Sequence, residues 1–310
     1  MELIRRKTNI DFMGLKWVSM AISLVLVAIA VFFWVKAGDA KYGVDFRGGN
    51  EFVVHFEKPM PLGTLRGALE KAGFTDAVVQ KFEDRESDFS VRVGARATED
   101  LTASVRAVFQ GISENSYQIL REDFVGPVIG EQIRRDALIA GVIGLIGIML
   151  YVTIRFSFIF AFGAVFALTH DAIIAAGATV LSGREIGAAT LAAVLTIIGY
   201  SVNDTIIIYD RIRENLAKAN KTGSAAKKGE AAEVHGKSMA EIINLSINET
   251  LSRTIITSVT VVFVCLTLWL FGGGAVSDLA FTLLVGILIG TYSSVYVASP
   301  SLLIFAPKKK

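Results

Sequence analysis

Ionisable side chains inside apolar stretches are the residues of this sequence that could do chemistry. His170 and Asp171 are adjacent within one apolar run, and Asp204 lies within the next. Charged groups are costly in such surroundings, so each is a candidate for proton or ion transfer. A carboxyl group in a low dielectric favours its neutral form, whereas a nearby guanidinium favours the ionised form. A carboxyl balanced between these two effects can bind and release a proton.

Asp204 lies on a polar stripe and has a candidate partner. The stripe consists of Thr196, Tyr200, Asn203 and Asp204. At about 100° per residue these side chains share one side of a helix, where they must face other helices or water. Arg253 begins a later apolar run, and in antiparallel spans its depth matches that of Asp204. The pair is either a proton-binding switch that separates and closes, or a fixed ion pair that aligns two helices.

His170 and Asp171 also allow two interpretations. Three small residues, Gly163, Ala167 and Gly177, share the side of the span that carries His170. Because small residues let helices approach closely, His170 can serve simply to form a hydrogen bond across a tight helix contact. Alternatively, His170 and Asp171 relay protons. The sequence does not decide between proton relay and helix packing.

The composition excludes several classes of protein. The chain has 310 residues, of which 53% are hydrophobic and 19% are charged, and its mean hydropathy is +0.54. Apolar runs of about twenty residues can cross a hydrocarbon core about 30 Å thick. We therefore predict an integral membrane protein rather than a cytosolic enzyme, a secreted disulfide scaffold or a nucleic-acid-binding protein.

Neither a cofactor nor a metal is expected. The one cysteine, Cys265, lies in an apolar run, which excludes an intrachain disulfide and a thiol-rich metal site. The sequence has no Gly-x-x-x-x-Gly-Lys-Ser/Thr loop for nucleotide phosphates. Any work that the chain performs must come from a partner ATPase or an ion gradient, and we predict that the chain is not an enzyme.

Six apolar runs are long enough to be transmembrane helices. We predict spans at 17–35, 137–154, 158–181, 186–208, 254–271 and 279–305. The first run is too long for a signal-peptide core and is expected to remain as an anchor. The sixth is longer than the others and is expected to tilt, kink or extend past the membrane.

The basic residues predict the orientation of these spans. With six spans, the N-terminal segment 1–16, the loop 209–253 and the tail 306–310 lie on one side, together with Arg155. The short loops on the other side contain only Arg184. Since cytoplasmic loops carry the excess of Lys and Arg, both termini are predicted to be cytoplasmic.

A polar segment, 36–136, separates the first span from the other five and is predicted to be an extracytoplasmic domain. Its patterns predict a strand at 51–56, a helix at 62–72, strands at 77–82 and 89–93, a helix at 98–110 and a strand at 117–124. This βαββαβ order is typical of a ferredoxin-like α+β fold. The predicted fold class is a membrane α-helical bundle with six transmembrane helices and a small extracytoplasmic domain that binds or moves rather than catalyses.

Two glycine-rich segments flank this domain. The first contains Gly43, Asp45, Gly48 and Gly49. Its composition favours a turn that lets the chain leave the membrane and enter a sheet. The segment 125–130 plays the corresponding role before the second span, and the two segments are expected to lie close together at the membrane face.

Several motifs together resemble one family. They are the segments 43–49, 125–130, 169–171, 198–205, 209–215 and 251–254. With them the sequence resembles the SecF family, the smaller subunits of the SecDF pair, within the resistance-nodulation-division superfamily. The likeness extends over nearly the whole chain. It departs from the common pattern at 217–238, a longer Lys-, Ala- and Gly-rich stretch whose composition is typical of a solvated loop.

The resemblance implies a function in protein export. SecDF uses the proton motive force to pull or clamp a preprotein that the SecA ATPase has pushed into the SecYEG channel. The implied partners are SecD, SecYEG with SecA, YajC and the exported preprotein, in the bacterial cytoplasmic (inner) membrane. In the family, the residues at the positions of Asp204 and Arg253 belong to the proton pathway.

Two other functions remain open. A proton-driven small-molecule exporter of the same superfamily would share the six-span bundle and the intramembrane carboxylates, although such exporters usually have two bundles and larger exported domains. A passive assembly scaffold would use the ion pair of Asp204 and Arg253 only for structure.

A single bundle also predicts a second, SecD-like chain related by pseudo-twofold symmetry.

Overall fold

A small sheet domain interrupts the helices of this chain. The computed structural model describes residues 8–82, 87–95, 101–112, 116–220 and 234–305. The first long helix, α1, spans Lys16–Lys36, and a short helix, α2, spans Val44–Arg47. The domain that follows consists of β1 Gly49–Phe56, α3 Leu62–Lys71, β2 Val78–Lys81, β3 Asp88–Gly94, α4 Leu101–Gly111 and β4 Tyr117–Val125.

The topology of this domain confirms the predicted ferredoxin-like fold. Its strands form one antiparallel sheet in the order β2-β3-β1-β4. The helices α3 and α4 follow β1 and β3, which gives the βαββαβ order. Residues 98–100, where the second helix is predicted to begin, lie outside the described residues.

One side of the sheet holds the core of the domain. Phe52, Val54 and Phe56 alternate along β1 with less buried residues and are themselves fully buried, as the period of two requires. The Phe109 ring of α4 lies edge-on to Phe52, with 6.0 Å between the ring centroids. Burial of one such side chain contributes about 1.5–3 kcal/mol. The other side of the sheet carries Arg92 and faces the long helices.

Five more helical stretches follow the domain. The first four are α5 Pro127–Arg155, α6 Phe158–Leu181, α7 Ala188–Ala219 and α8 Met239–Phe271. The last one begins as α9 Gly274–Ser293, continues as a π-helical turn Ser294–Ala298 and ends as α10 Ser299–Phe305. Together with α1, these are the six helices of the described residues that are long and apolar enough to cross a membrane. The predicted helical bundle with a small α+β domain is confirmed.

Three of the helices extend well beyond the predicted apolar runs. Pro127 occupies the first turn of α5, and Ser238 and Glu241 form a capping box at the start of α8. Because the extensions are polar, a search for apolar runs does not detect them. The predicted loop 209–253 is therefore largely helical where the structure describes it. Residues 221–233 of the Lys-rich stretch lie outside the described residues.

The sheet domain and the first described residues lie at opposite ends of the bundle. The Ile10 amide donates to Oδ1 of Asn248 at 2.9 Å, and the Phe12 ring lies 5.7 Å from the Tyr296 ring. The segment before α1 thus packs against the polar start of α8 and against the π-helical turn. The sheet instead contacts α9 near its start, at Asp278.

The last helix changes its hydrogen-bonding pattern near its end. The Ala298 carbonyl, in the π-helical turn, accepts from the Tyr209 hydroxyl at 3.0 Å and from the Ser301 hydroxyl at 2.6 Å. A π-helical turn leaves backbone carbonyls open to such side-chain donors, and it occurs frequently at functional sites. The π-helical turn lies within the predicted sixth span, 279–305.

Candidate proton-transfer site

Asp204 lies halfway along α7, in the contact between α7 and α8. Its side chain is only 2% exposed. On α8, the Ser258 hydroxyl and the Arg253 guanidinium interact with the carboxyl group. No ion pair joins Asp204 to Arg253, whose side chain is exposed, so the two expected partners are neighbours that stand apart in this conformation. The hydroxyls of Tyr200 and Thr254 are buried without a hydrogen-bond partner in the described part of the chain.

The polar stripe predicted on α7 is divided between two environments. Asp204 is buried and Tyr200 is half-buried, whereas Thr196 and Asn203 are exposed. The Thr196 hydroxyl donates to the Ala192 carbonyl at 2.7 Å, but the Asn203 amide has no partner within the described ranges. A polar group on a membrane-spanning helix has to be satisfied by water or by protein. The exposed part of the stripe therefore needs hydrogen-bonding partners, either water or protein, from outside this chain.

Asp171 is completely buried where α6, α7 and α9 meet. Its Oδ2 accepts hydrogen bonds from the Ser201 hydroxyl of α7 at 2.6 Å and from the Ser293 hydroxyl of α9 at 2.7 Å. Its Oδ1 lies 2.9 Å from Nδ1 of His170. Nε2 of His170 is buried and has no hydrogen-bond partner among the residues that the structure describes. The structure thus joins His170 and Asp171 to each other and to two further helices.

The small-residue side of α6 packs tightly, but not through His170. A methyl group added to Gly177 would meet Ala30 of α1, and one added to Gly163 would meet the last helix. The hydrogen bond of His170 goes to Asp171 on its own helix rather than across this contact. The geometry expected from the packing interpretation is therefore not the one observed for His170.

The first glycine-rich segment holds the start of α7. The Asp45 carboxylate accepts a hydrogen bond from the Ala188 amide at 2.8 Å. The Gly43 amide donates to the Ile186 carbonyl at 3.1 Å, and the Ile186 amide donates to the Lys41 carbonyl at 2.7 Å. An acidic side chain at a helix N-terminus satisfies a free amide and the positive end of the helix dipole. The segment therefore fixes the end of the helix that carries Asp204.

Gly48 and Gly49 permit a close approach to the second glycine-rich segment. Their φ angles are +81° and +142°. A Cβ atom on Gly48 would lie 2.7 Å from Cα of Pro127, and one on Gly130 would lie 3.0 Å from the Gly48 amide nitrogen. Gly49 also pairs with Val125 across the sheet. The expectation that the two glycine-rich segments lie close together is confirmed.

Charged side chains join the sheet to the bundle. Arg92 of β3 is 7% exposed and lies 3.1 Å from Glu51 of β1. It also lies 3.1 Å from Asp278 of α9 and 3.7 Å from Glu185, in the loop between α6 and α7. Although burial alone would lower it, these carboxylates raise the pKa of the Arg92 guanidinium above its ordinary value. The positive charge of Arg92 therefore links β3 to β1, to α9 and to the loop between α6 and α7.

Glu185 is the acid of this cluster whose pKa is raised into the neutral range. Burial raises the pKa of its carboxyl to about 7, against the opposing effects of Arg92 and Arg47. Oε1 of Glu185 lies 3.4 Å from Nη2 of Arg47, while Oε2 has no hydrogen-bond partner in the described part of the chain. Asp278, by contrast, also pairs with Arg184. Glu185 is thus a titratable link at the end of the bundle next to the sheet domain.

The motif at 209–215 fastens α7 to α8 near the other end. Nε of Arg211 lies 2.6 Å from a carboxylate oxygen of Glu249. The Asn215 amide donates to the Ser246 hydroxyl at 3.0 Å. As a result, α7 is held at both ends, and Asp204 lies between the two attachments.

Sequence reasoning found the intramembrane acids but missed the charged cluster at the sheet. Arg184 served only to predict the orientation of the membrane spans. The alternation of β3 could have marked Arg92, because it lies between two buried valines on the opposite side of the strand. Nothing in the spacing connects Arg92 with Asp278. Within the described ranges, no group of three or more His, Cys, Asp or Glu side chains is arranged to hold a metal ion.

Family models match most of the chain. Residues 104–308 match the C-terminal model of the protein export membrane proteins SecD and SecF. Residues 41–60 match the SecD/SecF GG motif, and they include the segment that holds the start of α7. The two matches cover the bundle helices from α5 onward and the link between bundle and sheet.

Relatives and solved structures agree with these matches. The protein translocase subunit SecF of Rickettsia rickettsii (strain Sheila Smith) is 38% identical over 312 aligned positions, which cover 100% of this chain and 96% of that protein. The protein of the same name from Rickettsia bellii (strain OSU 85-389) is 38% identical and is covered to 97%. A crystal structure of SecDF, a translocon-associated membrane protein from Thermus thermophilus, is 36% identical with a TM-score of 0.80.

The solved SecDF chains are much longer than this one. The match to the Thermus thermophilus structure covers 98% of this chain but 39% of that chain. A second structure, of SecDF in a super-membrane-facing form, is 35% identical with a TM-score of 0.69 and gives the same coverage. The present chain therefore corresponds to well under half of the SecDF chains that it matches.

Proposed function

The chain belongs to the SecD/SecF family of protein-export membrane proteins as a SecF-type translocase subunit, and from this premise we propose that it couples the proton motive force to late preprotein translocation. Asp204 is the proton-binding group, and Arg253 is the charge that it attracts when ionised. The observation that carries this proposal is the burial of Asp204 beside Arg253 without a closed ion pair.

Protonation of Asp204 changes the contact between α7 and α8. The ionised carboxylate attracts the Arg253 guanidinium and draws α8 towards α7. A proton on Asp204 removes that attraction, because a neutral carboxyl interacts only weakly with a guanidinium. The two helices are then free to shift near Asp204. The contact of Arg211 with Glu249 still holds the C-terminal part of α7 to the N-terminal part of α8.

The shift reaches the exported domain through the two links at the start of α7 and α9. Asp45 binds the first amide of α7, and Arg92 binds Asp278 in the second turn of α9. A change in the angle between these helices therefore moves the sheet domain relative to the membrane. In this proposal the domain contacts the preprotein as it leaves the SecYEG channel, into which SecA has pushed it; YajC is a further partner.

SecD covers the exposed membrane surface of this chain. Asn203 of α7 and Arg253 of α8 are exposed at the depth of the proton site. On α5, nothing lies within 4 Å of a Cβ built on Gly141, Gly144 or Gly147. Polar groups and small-residue faces of this kind favour a helical partner over lipid. A SecD chain with a corresponding bundle would supply it.

The chain lies in the bacterial inner membrane with both termini in the cytoplasm. The sheet domain and the segment before α1 lie at opposite ends of the bundle, which fits an exported domain and a cytoplasmic N-terminus. The basic cluster within 1–7 and the tail 306–310 lie outside the described residues, and their charge supports the same orientation.

Translocation into vesicles that contain SecD and the channel tests the coupling role. Wild type and Asp204→Asn are compared for completion of translocation, with and without an imposed proton gradient. The gradient-dependent part is expected to vanish in Asp204→Asn, because the amide cannot take up a proton. Asp210→Asn is the matched control, since it removes an exposed carboxylate from the same helix.

Assembly must be measured in the same vesicles. If Asp204→Asn remains bound to SecD and the gradient still accelerates completion, Asp204 and Arg253 have a structural role only, as in a passive scaffold. Accumulation of small molecules rather than of unprocessed exported proteins would point to an exporter instead.

A further inference from the structure

We propose that His170 and Asp171 form a second proton-binding site, in the core of the bundle and separate from Asp204. Asp171 is completely buried and His170 is 6% exposed. In the described part of the chain, His170 is the one cationic partner within ion-pairing distance of Asp171. A buried carboxylate that lacks a compensating charge is strongly disfavoured.

The charge balance assigns one proton to this pair. Ionised Asp171 with doubly protonated His170 is neutral overall, and so is protonated Asp171 with neutral His170. Either arrangement holds one proton more than an ionised carboxylate next to a neutral imidazole. The 2.9 Å contact between Oδ1 of Asp171 and Nδ1 of His170 lets the proton shift between the two groups.

Nε2 of His170 is the atom at which the proton arrives and leaves. It is buried and without a hydrogen-bond partner among the described residues, although buried polar atoms are nearly always paired. Uptake of a proton at Nε2 changes the charge of the pair from −1 to 0. Release of the proton at Nε2 leaves Asp171 ionised, with Nδ1 of His170 donating to it.

Two serine hydroxyls allow the carboxyl to hold either charge. Ser201 and Ser293 lie 2.6 Å and 2.7 Å from Oδ2 of Asp171, and both can donate to the ionised form. The Ser293 hydroxyl also lies 3.1 Å from the Gly290 carbonyl, and its single proton can serve one acceptor at a time. When Asp171 becomes neutral, Ser293 can turn to Gly290. The charge of Asp171 therefore determines whether Ser293 forms its hydrogen bond with α6 or within α9.

The neighbouring helices bring no competing charge to Asp171. On α7, Tyr200 and Asp204 flank Ser201 but face α8. On α9, the Tyr292 hydroxyl donates to the Ser19 carbonyl of α1 at 2.7 Å. The helix α1 has charged residues only at its two ends, and the apolar part of α5 offers only Tyr151, which is exposed. Among the described residues, the two serines are therefore the polar groups that contact the pair from other helices.

The site has a mechanical connection to the exported domain. Ser293, which responds to the charge of Asp171, lies on the helix that contains Asp278 near its start. Asp278 in turn binds Arg92 of the sheet. Protonation of the pair therefore alters the contact between α6 and a helix that the domain holds directly.

Infrared difference spectroscopy of the complete complex with SecD in lipid tests the site. Spectra taken in acidic and alkaline buffer are compared for the carbonyl stretch of a protonated carboxyl and for the imidazole ring modes. We expect a pH-dependent signal in the wild type that is lost in Asp171→Asn. Ser293→Ala should shift the carboxyl band, because it removes a hydrogen bond to Oδ2 of Asp171, while Ser293→Thr should restore the wild-type band.

Two control variants test whether the signal is specific to His170 and Asp171. Ser294→Ala removes a buried hydroxyl from the same turn, bonded to the Thr291 carbonyl, and should leave the signal unchanged. Asp204→Asn should also leave it unchanged, so the site stands or falls independently of the proposed coupling role of Asp204. Spectra of wild type and Asp171→Asn that coincide at every pH, with both proteins folded and bound to SecD, would overturn the proposal. If Asp171→Asn does not assemble, Asp171→Glu, which keeps the carboxyl, should retain a pH-dependent signal with a shifted carbonyl band, and bands that coincide with those of the wild type would then overturn the proposal.

Discussion

The Asp45 carboxylate accepts a hydrogen bond from the Ala188 amide at 2.8 Å, and so the glycine-rich motif before the sheet domain caps the helix that carries Asp204. At 1.5 Å per residue, Asp204 lies about 24 Å from this cap along the helix axis. The cap and the proton site are therefore joined by one rigid element. A displacement of either end is transmitted along α7 without the need for an intervening chain of side chains.

Removal of this cap should weaken the coupling without removing the proton site. Asp45→Ala leaves the Ala188 amide unsatisfied and is expected to lower the free energy of unfolding by about 0.5–2 kcal/mol, the usual value of a helix N-terminal cap. We also expect the gradient-dependent part of translocation to fall, because α7 is no longer fixed to the domain. Thermal unfolding and vesicle translocation measure the two effects. Asp39→Ala, at an exposed acidic residue nearby, should change neither.

The close approach of the two glycine-rich segments predicts a strict requirement at Gly48. Gly48→Ala places a Cβ 2.7 Å from Cα of Pro127 and forces a non-glycine residue to φ +81°. The strain alone is expected to cost about 1–3 kcal/mol. Chemical denaturation of the complex in detergent measures it.

A helical glycine of the same domain provides the control for Gly48. Gly67 lies in α3 with nothing within 4 Å of its Cβ position. Gly67→Ala is expected to be neutral or to stabilise, because alanine is the better helix former by roughly 1 kcal/mol. Equal effects of the two substitutions would show that the backbone geometry at Gly48 is not the cause.

Much of the fold could be predicted because it follows from local periodicity. The alternation along β1 gives the strand, and the long apolar runs give the helices. Asp204 and Asp171 could be identified because a charge in an apolar run is conspicuous. The polar extension of α8 could not be predicted in this way, because a capping box and packing, rather than an apolar period, stabilise that part of the helix.

The contacts between elements could not be predicted, because no spacing records them. Asp204 and Arg253 have matching depths in sequence, yet the direction of the Arg253 side chain depends on how α7 and α8 pack. Ser201 and Ser293 bind Asp171 from two other helices, and a single serine on a helix has no pattern that marks it. These are tertiary facts that require the three-dimensional arrangement.

Glu185 should make the stability of the complex depend on pH. The pKa of its carboxyl in the folded chain is about 7, above its ordinary value of 4.5. Between these values the folded state binds a proton that the unfolded state does not bind, so the contribution of Glu185 to stability is complete below the lower value. It is lost as the pH rises through about 7. Glu185→Gln should therefore flatten the pH dependence of the unfolding free energy in this range.

Equilibrium unfolding at a series of pH values measures the Glu185 effect. Glu57→Gln is the control, because Glu57 is an exposed acid of the neighbouring sheet domain. Its profile should follow that of the wild type. A wild-type profile that does not fall between these pH values, or that Glu185→Gln leaves unaltered, would contradict the assignment of Glu185 as the titrating group.

Arg92 should be far more important to stability than an exposed arginine of the same domain. Arg92→Met leaves Asp278 and Glu51 with one fewer positive charge in a buried site, and breaking a buried pair from one side typically costs about 3–5 kcal/mol. Arg106→Met breaks an exposed pair with Glu122 and should cost about 0–1 kcal/mol. A distance probe between the sheet domain and α9, read together with unfolding, distinguishes undocking from loss of the fold. If the domain remains docked in Arg92→Met at the wild-type distance, the charged cluster is not what holds it to the bundle.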